Sequence, residues 1–226
     1  METAKLKKFA QFARRSLLEQ ISAKLKLVLA ENSTARRENP TVIAEIEKAI
    51  RNQPAVGSKG KEPTDGWKLT ADSLVERVAY IWFNRFCALR FMDVNRYTRI
   101  GVVSPAEGQF QPEILAEAKM GHIDDEMVPE KTRQQIFALL HGKAPSRDPQ
   151  GEAYRLLVVA ACNFFHGAMP FLFQRIDDYT ELLMPDDLLS GNSILAYTRE
   201  AMTPDVCGVD SSQPSVISSQ QQNTDS

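Results

Sequence analysis

The sequence predicts a mainly α fold: a multi-helix, bundle-like domain followed by a disordered C-terminal tail. Three observations predict it. Apolar residues recur at steps of three or four through the first thirty positions, the period of a helix face and not of a strand. The stretch VAYIWFNRFCALRFMD, residues 78–93, sets Trp, Tyr and three Phe into about four helical turns. A third stretch, LLVVAACNFFHGAMPFLF at residues 156–173, is apolar over a length that suits a buried helix better than a strand.

Taken in order, Thr3 can cap a first helix reaching about Ala30, with Leu6, Phe9, Ala13, Leu17, Ile21, Leu25 and Val28 on its inner face. ENSTARREN breaks that pattern, and Pro40 suits the first position of a second helix ending near Asn52. Residues 52–66 hold three Gly and two Pro without periodicity and read as a loop. A helix starting at Thr70 or Asp72 then runs to about Asp93. Residues 94–111 are expected to be irregular, with a short strand or hairpin around Ile100 to Val103.

Weaker helices are expected at 112–120 and 129–142, with a loop at 143–150. A long apolar helix follows at about 151–168 and meets a kink or stop at Pro170. A turn around MPDDLLSG leads to a last helix from about Asn192. This gives a helical region over 1–207. From Gly208 the composition turns to Ser, Gln and Asn with little to bury, so 208–226 is expected to be a Ser/Gln-rich disordered tail.

The helix over 78–93 poses a question of its own. Successive residues turn by about 100°, so Asn84, Arg85 and Arg90 point in well-separated directions and form no single polar stripe. Such a helix is either surrounded on most sides or leaves an apolar side for a further domain. In the second case an exposed patch and self-association are expected. A buried guanidinium needs a partner, because stranding its charge is costly. The carboxylates of Asp177, Asp178, Asp186 and Asp187 are the candidate partners for Arg85 and Arg90 as structural ion pairs.

Composition limits the function classes. Hydrophobic residues make up 43% and charged residues 25%, ordinary for a soluble globular protein. Cys87, Cys162 and Cys207 are far apart without a CxxC pair, so neither a zinc site nor a disulfide framework is expected, and a reducing cytoplasm fits. The N-terminus lacks the apolar core of a signal peptide. Asn163, His166, Gly167 and Pro170 within 156–173 argue for a core helix over a membrane span.

Charge is unevenly placed. Lys5, Lys7, Lys8, Arg14, Arg15, Lys24 and Lys26 outnumber Glu2 and Glu19 within residues 1–30, while the whole chain carries −2. That basic helix is either a solvated face or a set of phosphate contacts, which makes DNA a candidate partner. No catalytic constellation emerges. His122, His141 and His166 have no metal-ligand spacing, and Asn163 with His166, one turn apart, reads as a core hydrogen-bonding pair. The acidic pairs beside turns read as caps.

Three blocks resemble a known family: LKKFAQFARRSLLEQ near the start, VAYIWFNRFCALRFMDVN, and MPFLFQRIDDYTELLMPDDLLSGNSILAYTREAM. They resemble the N-terminal region of the PglX proteins, the adenine-specific DNA methyltransferases of bacterial BREX phage-defence systems. The resemblance implies a much longer enzyme with a Rossmann-like domain, a Gly-rich S-adenosylmethionine loop and an (N/D)PP(Y/F) motif that holds a flipped adenine. Neither motif is in this sequence, so no catalytic residue carries over and no cofactor is expected in this chain. It implies a truncated N-terminal accessory region, or a standalone remnant, that packs on a methyltransferase catalytic domain and contacts DNA. The alternative is a standalone regulatory or decoy protein that binds other BREX proteins.

Overall fold

The computed structural model describes residues 3–52, 63–173 and 179–208, and among them the chain is mainly α. Nine helices are present in the described residues: α1 (Thr3–Leu29), α2 (Thr34–Glu38), α3 (Pro40–Asn52), α4 (Pro63–Val94), α5 (Glu113–Lys119), α6 (Glu130–Leu140), α7 (Pro149–His166), α8 (Tyr179–Leu182) and α9 (Ile194–Ala201). No strand occurs among them. The hairpin expected around Ile100 to Val103 is replaced by irregular backbone and one isolated antiparallel bridge between Pro105 and Pro112.

Local chemistry accounts for the starts of four helices. Ser33 accepts the Arg36 N–H at 3.1 Å and starts α2, a short helix in the stretch expected to be a plain break. The same hydroxyl donates to the Val28 carbonyl at 2.7 Å and so ties α2 to the end of α1. Asp148 caps α7 by accepting from Gly151, with Pro149 in the first helical position. Ser193 caps α9 through the Ala196 N–H. Helix α4 begins at Pro63, several residues before the expected start, at a residue whose fixed φ is pre-organised for a first turn. Most of the expected 52–66 loop, and all of the tail beyond Gly208, lie outside the described residues.

Helix α1 packs along α4 and against α9, while α3 lies on α4 from another side. Phe9, Ala13, Leu17, Ile21 and Leu25 are buried at steps of four. A step of four advances about 40° beyond a full turn, so the stripe winds around α1 and serves both neighbours. Helices α6 and α7 pair, with α5 against both. One continuous apolar core runs from Phe9 on α1 through α3, α4 and α7 to Leu195 on α9.

Helix α4 buries half of its circumference. Leu74, Val78, Trp82, Arg85, Phe86 and Leu89 face the core. Trp82 donates its indole N–H to the Thr180 carbonyl at 2.9 Å and so anchors α8. The other side carries Glu76 and Arg77 but also Tyr80 and Phe91, which are exposed. The helix is apolar nearly all round because one face builds the core and the other presents aromatic rings outward.

The residues after α4 fold into a buried irregular segment, with Val102 and Val103 fully enclosed. Enclosure of backbone requires a partner for every polar group. Asp93, in the last turn of α4, accepts from Val102 at 3.0 Å, Val103 at 2.8 Å and Ser104 at 2.9 Å. Glu113 accepts the Gly101 N–H at 2.7 Å. The carbonyls of Val102 and Val103 take the Tyr154 hydroxyl at 3.0 Å and the Arg199 guanidinium at 3.2 Å. Those of Gly101 and Ser104 accept from Ile114 and Glu113. All eight backbone groups of residues 101–104 are thereby paired, joining α4, α5, α7 and α9.

Candidate functional site

The basic residues of α1 do not share one face. With about 100° per residue, Lys8, Arg15 and Lys26 lie close to one line, while Lys7 with Arg14, Lys5, and Lys24 point elsewhere. Lys5, Lys7, Lys8, Arg14, Arg15 and Lys26 are exposed, and Glu19 lies near the line of Lys8, Arg15 and Lys26. Arg14 reaches Glu76 on α4 at 2.9 Å. Lys24 is mostly covered and forms an ion pair with Asp186, which also receives Arg155 at 2.7 Å. A cation held in that cluster is poorly placed for phosphate, unlike the outward line of Lys8, Arg15 and Lys26.

Of the two arginines of α4, Arg90 has different neighbours from those the sequence suggested. Arg85 is buried, with its guanidinium 5.0 Å from the centre of the Trp82 ring. Asp177 and Asp178, two of its candidate partners, lie outside the described residues. Arg90 pairs with neither Asp186 nor Asp187. It donates to the Met202 carbonyl at 3.0 Å and the Ser104 hydroxyl at 2.7 Å. The physical reason is position: Asp186 already neutralises Lys24 and Arg155, and Asp187 caps a turn by accepting from Ser190. Burial lowers the Arg90 pKa, opposed by the nearby Asp93 carboxylate.

The histidines are local fixtures. His166 contacts the Phe173 carbonyl at 2.7 Å, His141 the Phe137 carbonyl at 2.8 Å, and His122 the exposed Glu117 carboxylate at 2.9 Å. Asp124 caps its turn by accepting from Glu126 and Met127. Cysteines 87, 162 and 207 are free. Burial, reinforced by Cys207, pushes the Cys87 thiol up to about 12. Burial pushes the Cys162 thiol up to about 12 as well, opposed by Arg85. Among the described residues no group of three or more His, Cys, Asp or Glu is arranged to hold a metal ion, and no helix is long and apolar enough to cross a membrane.

The most distinctive surface is an apolar groove of about 710 Å³ between the C-terminal half of α4, the turn after it and the end of α7. Phe91, Met92 and Tyr97 form one side, and Phe164, Met169 and Met202 contribute to the rest. The rings of Phe91 and Tyr97 meet edge-on with centroids 6.1 Å apart. Helix α4 ends there in a Schellman motif: Tyr97 donates to the Met92 carbonyl and Arg96 to that of Asp93. Arg96 occupies the left-handed position, φ 57°, that Gly usually fills.

Sequence reasoning found the aromatic richness of α4 but not the groove, since which rings face outward depends on where α1 and α3 dock. It also missed Asp93. A signal was available: a carboxylate in the last turn of a helix opposes the helix dipole and so calls for compensating donors.

No protein-family model matches the chain. Two curated proteins are similar to it. The adenine-specific methyltransferase BrxX of Escherichia coli O9:H4 (strain HS) is 39% identical over 125 residues, covering 54% of this chain and 10% of that protein. The adenine-specific methyltransferase PglX of Lacticaseibacillus casei (strain Zhang) is 31% identical over 209 residues, covering 84% of this chain and 17% of that protein. The chain therefore matches a small part of each relative's length, and over that part it is homologous to the BREX adenine-specific methyltransferases.

Proposed function

We propose that this chain forms a helical accessory region of a BREX adenine-specific DNA methyltransferase, packs on the catalytic part of that enzyme, and transfers no methyl group alone. The observation that carries the reading is the outward aromatic side of α4. Tyr80 and Phe91 are exposed on the helix whose opposite face builds the core, in a chain whose relatives are methyltransferases several times longer. Aromatic rings presented in this way fit a surface completed by further polypeptide.

The absence of catalytic power follows from the sequence. It holds no (N/D)PP(Y/F) tetrapeptide to clamp an extruded adenine, and no Gly-rich turn to hold S-adenosylmethionine, the cofactor of the full-length enzymes. The residues present position and bind. The test is transfer of a labelled methyl group from S-adenosylmethionine to DNA. The chain alone is expected to give background incorporation, and incorporation above background overturns this reading.

Contact with DNA belongs to the same proposal and is supported by the exposed line of Lys8, Arg15 and Lys26 on α1. Each phosphate contacted adds about −0.9 to the slope of log affinity against log salt for duplex DNA. Replacing Lys8 and Arg15 by Glu is expected to weaken retention on duplex DNA and flatten that slope. Unchanged retention removes the DNA contact from the proposal. The alternative occupation, a regulatory or decoy protein that competes for BREX components, uses the same docking face. Inhibition of an assembled methyltransferase by added chain would favour it.

A further inference from the structure

We propose that the groove between α4 and the end of α7 docks one amphipathic helix from the longer methyltransferase polypeptide, with carboxylates beside that helix's apolar face meeting Arg96 and Arg99. The inference rests on the accessory-region reading and names the surface through which it operates.

Shape and chemistry select the class of occupant. The groove is open, about 710 Å³, and walled by aromatic rings over thioether side chains. Tyr97 is 66% exposed, Phe164 46% and Phe91 42%, so large apolar areas face water within one concave site. Methionines such as Met92, Met169 and Met202 adapt to varied apolar anchors. Apolar grooves of this kind receive the i, i+3, i+4 and i+7 side chains of a helix.

Two further observations fix the occupant. More than four-fifths of each relative's length lies beyond the part that matches this chain, a large supply of candidate segments within the same polypeptide. The residues of this chain after Gly208 offer only Val209, Val216 and Ile217 as aliphatic side chains and no aromatic, a poor match for so large a groove. The rim supplies the charge argument. Arg96 and Arg99 flank Tyr97 and are exposed, and Arg96 stands at a left-handed position where Gly would be less strained. A cation kept at a conformational cost beside an apolar groove matches an acidic flank on the incoming helix.

The test uses the full 226-residue chain and, as probe, the PglX relative's polypeptide prepared without the segment that matches this chain. Binding is followed by calorimetry across a salt series. The wild-type chain is expected to bind. Phe164→Ser and Tyr97→Glu are each expected to weaken binding by about tenfold or more, as loss of a central aromatic anchor does. Arg96→Gly is expected to fold at least as stably as wild type while binding more weakly with a flatter salt dependence. Wild-type affinity in all three variants overturns the groove assignment and leaves the accessory-region reading standing. No binding by the wild-type chain overturns that reading and the groove with it. Two other outcomes overturn the occupant: a wild-type dimer that these substitutions dissociate assigns the groove to a second copy, and exchange protection around Phe164 that vanishes on deleting residues 209–226 assigns it to the chain's own tail.

Discussion

The Asp93 carboxylate accepts the backbone N–H of Val103 at 2.8 Å, and through this contact the end of α4 holds the irregular segment that follows it. Two more N–H groups, from Val102 and Ser104, and the Thr98 hydroxyl converge on the same carboxylate. Replacing Asp93 by Asn keeps the shape but substitutes an NH2 group for one acceptor oxygen, so at least one enclosed N–H loses its partner. The expected loss is about 1–3 kcal/mol of folding stability. Urea denaturation measures it, and a midpoint equal to wild type would remove Asp93 from this role.

The same carboxyl predicts a pH dependence. Burial raises its pKa above the ordinary 3.8, opposed by the N–H bonds of Val102, Val103 and Ser104. A group whose folded pKa is raised contributes proton-linked stability that is complete below the unfolded value and is lost as pH rises through the folded value. The stability difference between wild type and Asp93→Asn is therefore expected to widen as pH falls from 7 toward 4. Taking the difference cancels the other carboxylates, and a gap that narrows on acidification contradicts the assignment.

Gly101 is required by a close approach. A Cβ built there would lie 2.6 Å from the Ser104 carbonyl oxygen, which is itself bound by the Glu113 N–H. Neither atom is the end of a flexible side chain, so backbone must shift. Gly101→Ala is expected to cost about 1–3 kcal/mol, comparable to overpacking a core. Thermal unfolding of the variant gives the answer.

Arg96 predicts the opposite sign. Its φ of 57° lies in the left-handed region, disfavoured by about 1–2 kcal/mol for a residue with a Cβ. Arg96→Gly relieves that strain but adds freedom to the unfolded chain, so a net gain of roughly 0.5–1 kcal/mol is expected. A loss of stability would mean that the Arg96 side chain makes a compensating interaction within the fold.

The thiols of Cys87 and Cys162 are pushed up to about 12, so both remain protonated near neutral pH. The thiolate is the reactive form. Iodoacetamide at pH 7.5 is expected to label Cys162 in the native chain far more slowly than in urea, with Cys87 also slowed. Rapid native alkylation of Cys162 would show that the α7 core opens.

How much was legible beforehand divides along physical lines. Helices α1, α3 and α7 could be read because apolar spacing and Pro at first positions act locally, within one or two turns. The short helices α2 and α8 could not, since four or five residues carry too little periodicity to register. The segment around Val102 read as a strand because β-branched residues have that preference, but its N–H groups are taken by a carboxylate on a preceding helix. That is a long-range fact.

By itself the sequence determined that the chain is helical, that α4 is apolar on nearly every side, and which methyltransferase family it resembles. All three follow from side-chain type and order along the chain. Tertiary structure alone decided that Arg90 binds Met202 and Ser104, that Lys24 is held by Asp186, and that Phe91, Tyr97 and Phe164 share one open groove. The reason is that a helix's period fixes which residues share a face, while the docking of its neighbours fixes which face is left to solvent.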